Sequence, residues 1–506
     1  MAIFPRRALL TAAALASVRR RLLGQGSASA HDVFAHGVAS GDPLADRVVL
    51  WTRLNPAAGE GDPGLPLDWA MAEDAGMRRV TQSGRAFTNA LFDYTVKVDV
   101  GRLQPGATYY YQFAHGAAKS AVGRTRTLPL GSVSRVRLGV ASCSNYPYGY
   151  FHAYRGLARR PDLDAVLHLG DYIYEYANGR FGDGTKLGRA PLPDREAVKL
   201  EDYRLRYAQY RGDGDLQEVH RQHPFIAVWD DHEFANDAWA DGAENHRAET
   251  QGDWYARKAA ARQAWLEWMP VRENLYEGGQ IYRSFRFGDL ADLMMLDTRV
   301  AGRMRQLAAV NTAGLNLPGR TLLGADQESW LTRQLVASQS RGAIWRLVGQ
   351  QILMAQYVNR DGLVTTDHWD GYPASRRQFL SCLANQSISN TVILTGDIHS
   401  SWANEISLDP FRPGYVSQAV EFVTPAVTSP NIEDEGQART VEMRIRDGHP
   451  HVKYMDAFRR GYMILDVDRE RAQAEWVHLA SVSAPLMEES LARTMAVASG
   501  EARLIG

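Results

Sequence analysis

Four short apolar runs, each ending abruptly in residues that can bind a metal ion, constrain the fold of this 506-residue chain more than any other feature. Continuous aliphatic runs of this length are typical of strands that are buried on both faces of a sheet. Ligands of such sheets bind beyond the carboxyl ends of the strands. The runs therefore predict an α/β fold in which Asp, His, Tyr and Cys side chains converge on one site. They are Val136–Cys143, Val166–Tyr174, Phe225–Glu233 and Val392–His399.

The first two runs supply a thiol, a carboxylate and a phenol. Gly170 lets the backbone approach an ion closely, and Asp171 can bridge two cations with its two oxygens. Taken alone, Tyr174 is more often a core tyrosine, but its position beside the other strand ends favours a ligand. A phenolate favours a hard trivalent ion, and the Cys143 thiolate is also compatible with iron. The pattern therefore indicates ferric iron.

The other two runs supply oxygen and imidazole groups. Asp231 and Asn236 have the hard oxygen ligands that calcium or magnesium prefers. We expect His232 to act as a hydrogen-bond donor or acid rather than as a calcium ligand. Asp397 and His399 face the same way on an extended segment, because side chains alternate along a strand. The pattern therefore predicts that Asp397 and His399 are two ligands of one metal cluster.

Charge and composition narrow the reaction class. The chain has 57 basic and 58 acidic residues, so no global basic field points to nucleic acid. No stretch approaches about 18 consecutive apolar residues, and we expect no membrane span. Several cations with anionic ligands bind an oxyanion and activate water, and phosphate esters are the substrates that most need this help. Arg299, or Arg204 and Arg206, could complete the neutralisation of the phosphate.

The chain divides into four predicted parts. Residues 1–30 resemble a twin-arginine export signal, with Arg6-Arg7 before a short apolar segment and Ala28-Ser29-Ala30 as a cleavage site. This predicts a periplasmic or secreted protein that could use the twin-arginine machinery. An unstructured basic tail of a cytoplasmic protein is the alternative, and the basic residues Arg19, Arg20 and Arg21 depart from the export pattern. The other predicted parts are an all-β domain over 31–128, an α/β domain over 135–482 and a helix over 484–506.

Five motifs together resemble the alkaline phosphatase D (PhoD-like) family of metallophosphoesterases. The resemblance implies a four-layer αββα metallophosphoesterase-like catalytic domain after an N-terminal β-sandwich that is similar to a fibronectin type III domain. It also implies a secreted enzyme, active at alkaline pH on phosphate monoesters and diesters, with Fe³⁺ and Ca²⁺ as cofactors. The C-terminal helix would be similar to a lid over the active site. The motifs are His36–Pro43, Ala141–Ser144, Gly170–Tyr174, Trp229–Glu233 and Gly396–His399.

The resemblance also implies roles for individual residues. Cys143, Asp171 and Tyr174 would be iron ligands, with Asp171 bridging to calcium. The remaining metal-site residues would be Asp231, Asn236, Asp397 and His399. The Gly-Asp-x-x-Tyr element is shared with purple acid phosphatases, but no Gly-His-x-His follows downstream. Independently of the resemblance, the residue chemistry predicts that His232 and Arg299 act on the substrate, while metal-activated water or hydroxide attacks phosphorus in line.

Two other functions compete with this interpretation. A phospholipase D-like diesterase acting on lipid head groups would have an exposed aromatic rim near the cleft, for which Trp369, Tyr372 and Trp402 are candidates. A cell-surface binding protein with purely structural metals is the second alternative. The complete ligand set lies next to His232, an expected general acid. A purely structural metal site does not need a general acid, so this arrangement argues against a binding protein.

Overall fold

The computed structural model describes residues 33–56, 64–272, 280–307, 314–359, 362–363 and 365–506. The predicted export signal over residues 1–30 lies outside them. Among these described residues, no helix is both long enough and apolar enough to span a bilayer.

The larger of the two central sheets has ten strands and carries three of the four predicted strand ends. Strands β9, β10 and β11 lie side by side and parallel, so their carboxyl ends meet at one edge. The strand order is β24-β23-β22-β21-β9-β10-β11-β1-β2-β5. In chain order the strands are β1 (Val38–Gly41), β2 (Val48–Arg53), β5 (Thr95–Val100), β9 (Arg135–Ala141), β10 (Ala165–His168), β11 (Pro224–Ala227), β21 (Gly461–Asp468), β22 (Arg471–Leu479), β23 (Glu489–Ala498) and β24 (Leu504–Ile505).

The second central sheet has seven strands and carries the fourth strand end. Its strand order is β12-β13-β14-β17-β19-β18-β20, with β13, β14, β17 and β19 parallel. The Asp397 segment directly follows β17. The strands are β12 (Arg283–Phe287), β13 (Ala291–Met295), β14 (Trp345–Gly349), β17 (Thr391–Thr395), β18 (Ser401–Ile406), β19 (Ala419–Val423) and β20 (Val452–Asp456). A separate two-stranded hairpin pairs β15 (Val358–Asn359) with β16 (Gly362–Leu363).

Apolar contacts join the two large sheets and pack helices against them. One buried cluster contains Leu138 of the ten-stranded sheet and Leu347 of the seven-stranded sheet, together with Trp265 of a helix. A second cluster packs Ile393 of the seven-stranded sheet against Leu380 of another helix. The helices are α1 (His152–Ala158), α2 (Leu200–Arg211), α3 (Gly214–Gln222), α4 (Ala248–Gln251), α5 (Trp254–Trp268), α6 (Ala325–Ser340), α7 (Pro373–Asn385) and α8 (Glu435–Gly448). The predicted α/β class is therefore confirmed.

The N-terminal strands divide between two sheets. Strands β1, β2 and β5 continue the ten-stranded sheet, where β1 runs parallel to β11. The other five form a sheet of their own, in which the Tyr109 hydroxyl accepts a 2.9 Å hydrogen bond from the Gln104 N–H. Those strands are β3 (Leu65–Ala72), β4 (Val80–Thr88), β6 (Thr108–His115), β7 (Ala118–Lys119) and β8 (Gly123–Arg126).

The prediction of a C-terminal helix over 484–506 is wrong. Residues Glu489–Ala498 form strand β23, which pairs antiparallel with β22, and Leu504–Ile505 forms β24 at the sheet edge. The Leu504 N–H also donates to the Glu405 carboxylate of β18. Backbone hydrogen bonds to β22, the preceding strand in the chain, therefore override the helical spacing of the apolar residues.

Candidate metal centre

Three overlapping groups of ligand-type side chains lie where the strand ends meet. Within each group the ligand atoms are all within 4.8 Å of one another. Asp171 belongs to the first and second groups, and Asp231 to the second and third, so the groups form one continuous centre. The first is Cys143, Asp171 and His399; the second is Asp171, Asp231 and His232; the third is Asp230, Asp231 and Asp397.

Tyr174 contacts two members of the first group, Asp171 and His399. Its hydroxyl donates to Asp171 Oδ2 at 2.8 Å and lies 3.2 Å from His399 Nε2. The Ser429 hydroxyl oxygen lies 2.6 Å from the same phenol oxygen and 2.9 Å from the Cys143 carbonyl oxygen, within hydrogen-bond distance of both. A thiol, a phenol, a carboxylate and an imidazole therefore surround one position.

Backbone geometry at the strand ends brings these side chains together. Cys143, Asp171, Asp397 and His399 all have positive φ, between 54° and 63°. This left-handed conformation is unusual for residues other than glycine, and such strain concentrates at functional sites. The chain therefore turns sharply at these four ligand-type residues.

Two glycines let the loops touch. A Cβ on Gly170 would lie 2.4 Å from Asp230 Cβ, so the loops after β10 and β11 are in direct contact. A Cβ on Gly396 would lie 2.8 Å from Ser142 Oγ, which joins the loop after β17 to the loop after β9. The second contact connects the two large sheets at the site itself.

The buried Glu233 carboxylate fixes two of these loops. It accepts hydrogen bonds from the backbone N–H groups of Asp171, Tyr172 and Asp230 at 2.8–2.9 Å. Burial raises the pKa of Glu233 to about 8, with Asp171 as a further cause. The carboxylate thus holds the loop after β10 against the loop after β11.

His232 is oriented by a buried carboxylate. Its Nδ1 lies 2.8 Å from Glu175 Oε2, and the other Glu175 oxygen accepts from the Asn236 N–H at 2.8 Å. Among the described residues Nε2 has no hydrogen-bond partner. Burial alone would lower the pKa of His232, but the carboxylates of Asp231 and Glu175 outweigh it and raise the pKa well above its usual value. His232 can therefore donate a proton from Nε2.

Arg299 is fully buried among carboxylates rather than open to a cleft. Its guanidinium donates to Asp230, to Asp367 at 2.9 Å and to Asp397 at 2.7 Å, and lies 3.5 Å from Asp231. The sequence predicted a contact with phosphate, whereas these bonds commit its donors to the acidic residues of the centre. Of the other arginines considered, Arg204 pairs with Glu267. Arg206 is buried and donates to backbone carbonyls, including those of Tyr174 and Tyr176, so it supports the loop that carries Tyr174.

The donor set fits bound cations. Asp230 Oδ2 and Asp231 Oδ1 are buried, and neither has a hydrogen-bond partner among the described residues. Burial raises the pKa of Asp230 well above its usual value and that of Asp231 to about 6, although Arg299 opposes both shifts. Burial also raises the pKa of the Cys143 thiol. Such crowding of acidic groups is stabilised when positive ions lie between them.

Five of the predicted metal ligands, Cys143, Asp171, Asp231, Asp397 and His399, belong to the three groups, and Tyr174 and Asn236 are predicted ligands of other residue types. The backbone N–H of Asn236 donates to Glu175 at 2.8 Å. Its side-chain amide donates to Glu244 at 3.2 Å. Residues that the sequence did not single out also complete the centre. Asp230 and Glu233 lie within a motif that was already dense in polar groups, and Glu175 directly follows Tyr174, so local position could have indicated them. Asp367 lies far from every motif and had no such signal.

Comparisons with known proteins agree with this site. Residues 138–476 match the model of the PhoD-like phosphatase family, and residues 19–129 match the model of the PhoD-like phosphatase N-terminal domain. The chain belongs to the PhoD-like phosphatase family. It is 35% identical over 470 residues to alkaline phosphatase D of Bacillus subtilis (strain 168), covering 89% of this chain and 78% of that protein. A solved structure of PhoD matches with a TM-score of 0.87 and 33% identity, covering 96% of this chain and 94% of the other.

Membership of the PhoD-like phosphatase family makes this chain a hydrolase of phosphoesters. The resemblance inferred from five short motifs is thereby confirmed. The interpretation as a non-catalytic binding protein is wrong, since the family model spans the residues that form the centre.

Proposed function

We propose that this PhoD-like phosphatase hydrolyses phosphate monoesters and diesters at alkaline pH with Fe³⁺ and Ca²⁺ at the centre. The observation that carries the proposal is the continuous set of three ligand groups sharing Asp171 and Asp231. Shared carboxylates of this kind suit neighbouring cations, since each carboxylate has two oxygens. When bound, the ions would supply positive charge for the phosphate oxygens and lower the pKa of water.

Donor chemistry supports a division of ligands between the two kinds of ion. Cys143, Tyr174, Asp171 and His399 would hold iron, because thiolate, phenolate and imidazole suit a transition metal. Calcium prefers oxygen, so the ligands around Asp231 and Asp397 would hold it. Asn236 remains a proposed calcium ligand that would have to exchange its contact with Glu244 for the ion. Arg299 would position Asp231 and Asp397 for this role.

His232 would donate a proton to the departing ester oxygen. Its Nδ1 is held by Glu175 at 2.8 Å, so its Nε2 is available to the substrate. A positioned general acid of this kind contributes roughly 10²–10⁴-fold to a rate. The phosphate would lie between the cation ligands and this imidazole.

Lipid head groups are not favoured as substrates. The three candidates for an aromatic rim are at most 1% exposed to solvent: Trp369, Tyr372 and Trp402. They belong to the core beneath the seven-stranded sheet rather than to a membrane-facing surface. Small phosphate esters are therefore the proposed substrate class.

The proposed domain architecture follows the same resemblance. Two large sheets with helices packed against them support a four-layer αββα catalytic domain, which β23 and β24 extend beyond the predicted boundary of 135–482. The Tyr109 hydrogen bond supports a fibronectin-like sandwich over 31–128. We further propose twin-arginine export to the periplasm or medium. Fractionation of cells carrying Arg6→Lys and Arg7→Lys together tests this, and export that persists would contradict it.

Metal analysis with activity measurements tests the proposed function. The purified protein should contain iron and calcium and should release p-nitrophenol from both p-nitrophenyl phosphate and bis(p-nitrophenyl) phosphate. Removing calcium with a selective chelator should abolish turnover, and calcium should restore it. A rate that chelation leaves unaffected would count against the mixed-metal centre.

Replacing Tyr174 with Phe should remove any visible ligand-to-iron charge-transfer colour and lower turnover, because the phenolate is the proposed chromophore. Absorption spectra of the iron-loaded protein measure this. Tyr109→Phe is the matched control, since it removes another buried tyrosine hydroxyl from the five-stranded sheet and should keep the colour. Colour retained in Tyr174→Phe would exclude Tyr174 as an iron ligand.

A further inference from the structure

Two aromatic rings that remain partly exposed stand at the edge of the metal centre. Phe181 has its ring centroid 6.2 Å from that of His232 and 6.3 Å from that of His399, and is stacked on both at 19° and 29°. Tyr176 lies 5.7 Å from Phe181 and 5.3 Å from His232. Tyr174 beside them is buried, so the outer two rings provide an apolar surface that solvent or substrate can reach.

Hydrogen bonds hold Phe181 in this position. It lies in a tight turn that the Gly179 N–H closes by donating to the Gly182 carbonyl at 2.9 Å. The buried Asn145 side chain donates to the Phe181 carbonyl at 2.9 Å and ties the turn to the loop that carries Cys143. A side chain that is already held in place loses little conformational entropy when a ligand binds. Its contact area therefore contributes more fully to affinity.

The position of His232 indicates which part of a substrate would meet these rings. Glu175 occupies Nδ1, so an ester oxygen that receives a proton must lie at Nε2. The group attached to that oxygen then leaves past the imidazole, within reach of Phe181 and Tyr176. An aliphatic polyol would leave the apolar surfaces of Phe181 and Tyr176 exposed to water, whereas a flat aromatic ring would cover them.

We propose that Phe181, with Tyr176 beside it, selects phosphate esters whose leaving group carries an aromatic ring next to the ester oxygen. The inference rests on the proposed function, because it assigns the substrate class of the same centre. Stacking of aromatic rings adds about two- to tenfold to binding beyond the area covered. The preference appears in kcat/KM through a lower KM for flat leaving groups.

A matched pair of substrates tests the proposal. Benzyl phosphate and cyclohexylmethyl phosphate have leaving alcohols of similar size and basicity but differ in flatness, so chemical reactivity does not separate them. We expect the metal-loaded protein to prefer benzyl phosphate by about two- to tenfold in kcat/KM. In Phe181→Leu, which keeps an apolar side chain, the ratio should fall to about one. In Phe181→Tyr it should persist.

Phe87→Leu is the control, because Phe87 is 69% exposed on β4 in the five-stranded sheet and should keep the wild-type ratio. Equal kcat/KM values for the two esters in the wild type would overturn the substrate assignment and leave phosphoester hydrolysis intact. An equal loss on both esters in Phe181→Leu would also overturn it, since that result marks a ring that only excludes water. Hydrolysis of neither ester by the metal-loaded wild type would instead contradict the proposed function.

Discussion

Left-handed backbone at Cys143, Asp171, Asp397 and His399 places the reactive groups of this enzyme in conformations that cost free energy. Each such residue costs on the order of 1–3 kcal/mol and persists only where its surroundings determine it. Here the surroundings include the Glu233 carboxylate and the Gly170–Asp230 contact. The rigidity of the centre therefore derives in part from Gly170 and Glu233, which belong to none of the three ligand groups.

Glu175→Gln should lower kcat by about 10²-fold on esters with poorly departing alcohols, because His232 loses the carboxylate that orients it for proton donation. With p-nitrophenyl phosphate the loss should be much smaller, since p-nitrophenolate departs without a proton. Steady-state kinetics on both esters measure the difference. Glu218→Gln is the control, as Glu218 pairs with Arg221 on the surface of α3. Equal losses on both esters would show that Glu175 is only structural.

Sequence reasoning at the residue scale succeeded where ligand types lie at the ends of recognisable strands. Cys143 and Asp171 follow β9 and β10, which are parallel neighbours in one sheet, so their convergence could be predicted. Asp397 and His399 follow β17 of the other sheet, and their place at the same centre depends on how the two sheets pack. Asp367 could not be predicted, because it comes from a loop without a motif and reaches the centre through Arg299. Pairings between distant loops leave no local pattern.

At the scale of elements, β23 shows why the C-terminal helix was predicted wrongly. Its residues Leu491, Ala492, Met495 and Ala496 have the i, i+1, i+4, i+5 spacing of a helix face. The segment nevertheless becomes a strand because β22 offers it a full ladder of backbone partners. The apolar spacing within one segment does not show whether the preceding strand will pair with it, so periodicity alone does not decide this element.

Met495→Ala should lower the free energy of unfolding by about 2–5 kcal/mol, because Met495 is 3% exposed in the core beneath β23. Thermal or urea unfolding measures this. Leu491→Ala on the same strand is 61% exposed and should change stability by no more than about 0.5 kcal/mol. A lid would behave differently: it would alter KM with unfolding unaffected, and that outcome would refute the assignment of β23 to the core.

At the scale of the whole molecule, buried neutral histidines make stability depend on pH. Burial lowers the pKa of His223, His451 and His478 to about 4, against about 6.5 in an unfolded chain. As the pH falls below 6.5, these histidines become protonated in the unfolded chain but stay neutral in the folded chain. Stability is therefore complete above pH 6.5 and is lost progressively toward pH 4.

We expect Tm to fall as the pH is lowered from 7 to 4.5, with each such histidine contributing up to about 1.4 kcal/mol per pH unit. His223→Gln should flatten this dependence, because a fully buried titrating ring is removed. His115→Gln, at a ring that bonds the Pro66 carbonyl near the surface, is the control. Calorimetry across this pH range measures Tm for each variant. Identical slopes of Tm against pH for the wild type and His223→Gln would contradict the explanation.

The Gly396–Ser142 contact gives the enzyme a mechanical weakness. Cys143 belongs to one large sheet and His399 to the other, and the two sheets meet there without room for even a methyl group. A slide of one sheet past the other by about one ångström would separate the two halves of the centre while both sheets stayed folded. Catalytic activity should therefore be lost at a lower temperature or pressure than the one at which the protein unfolds.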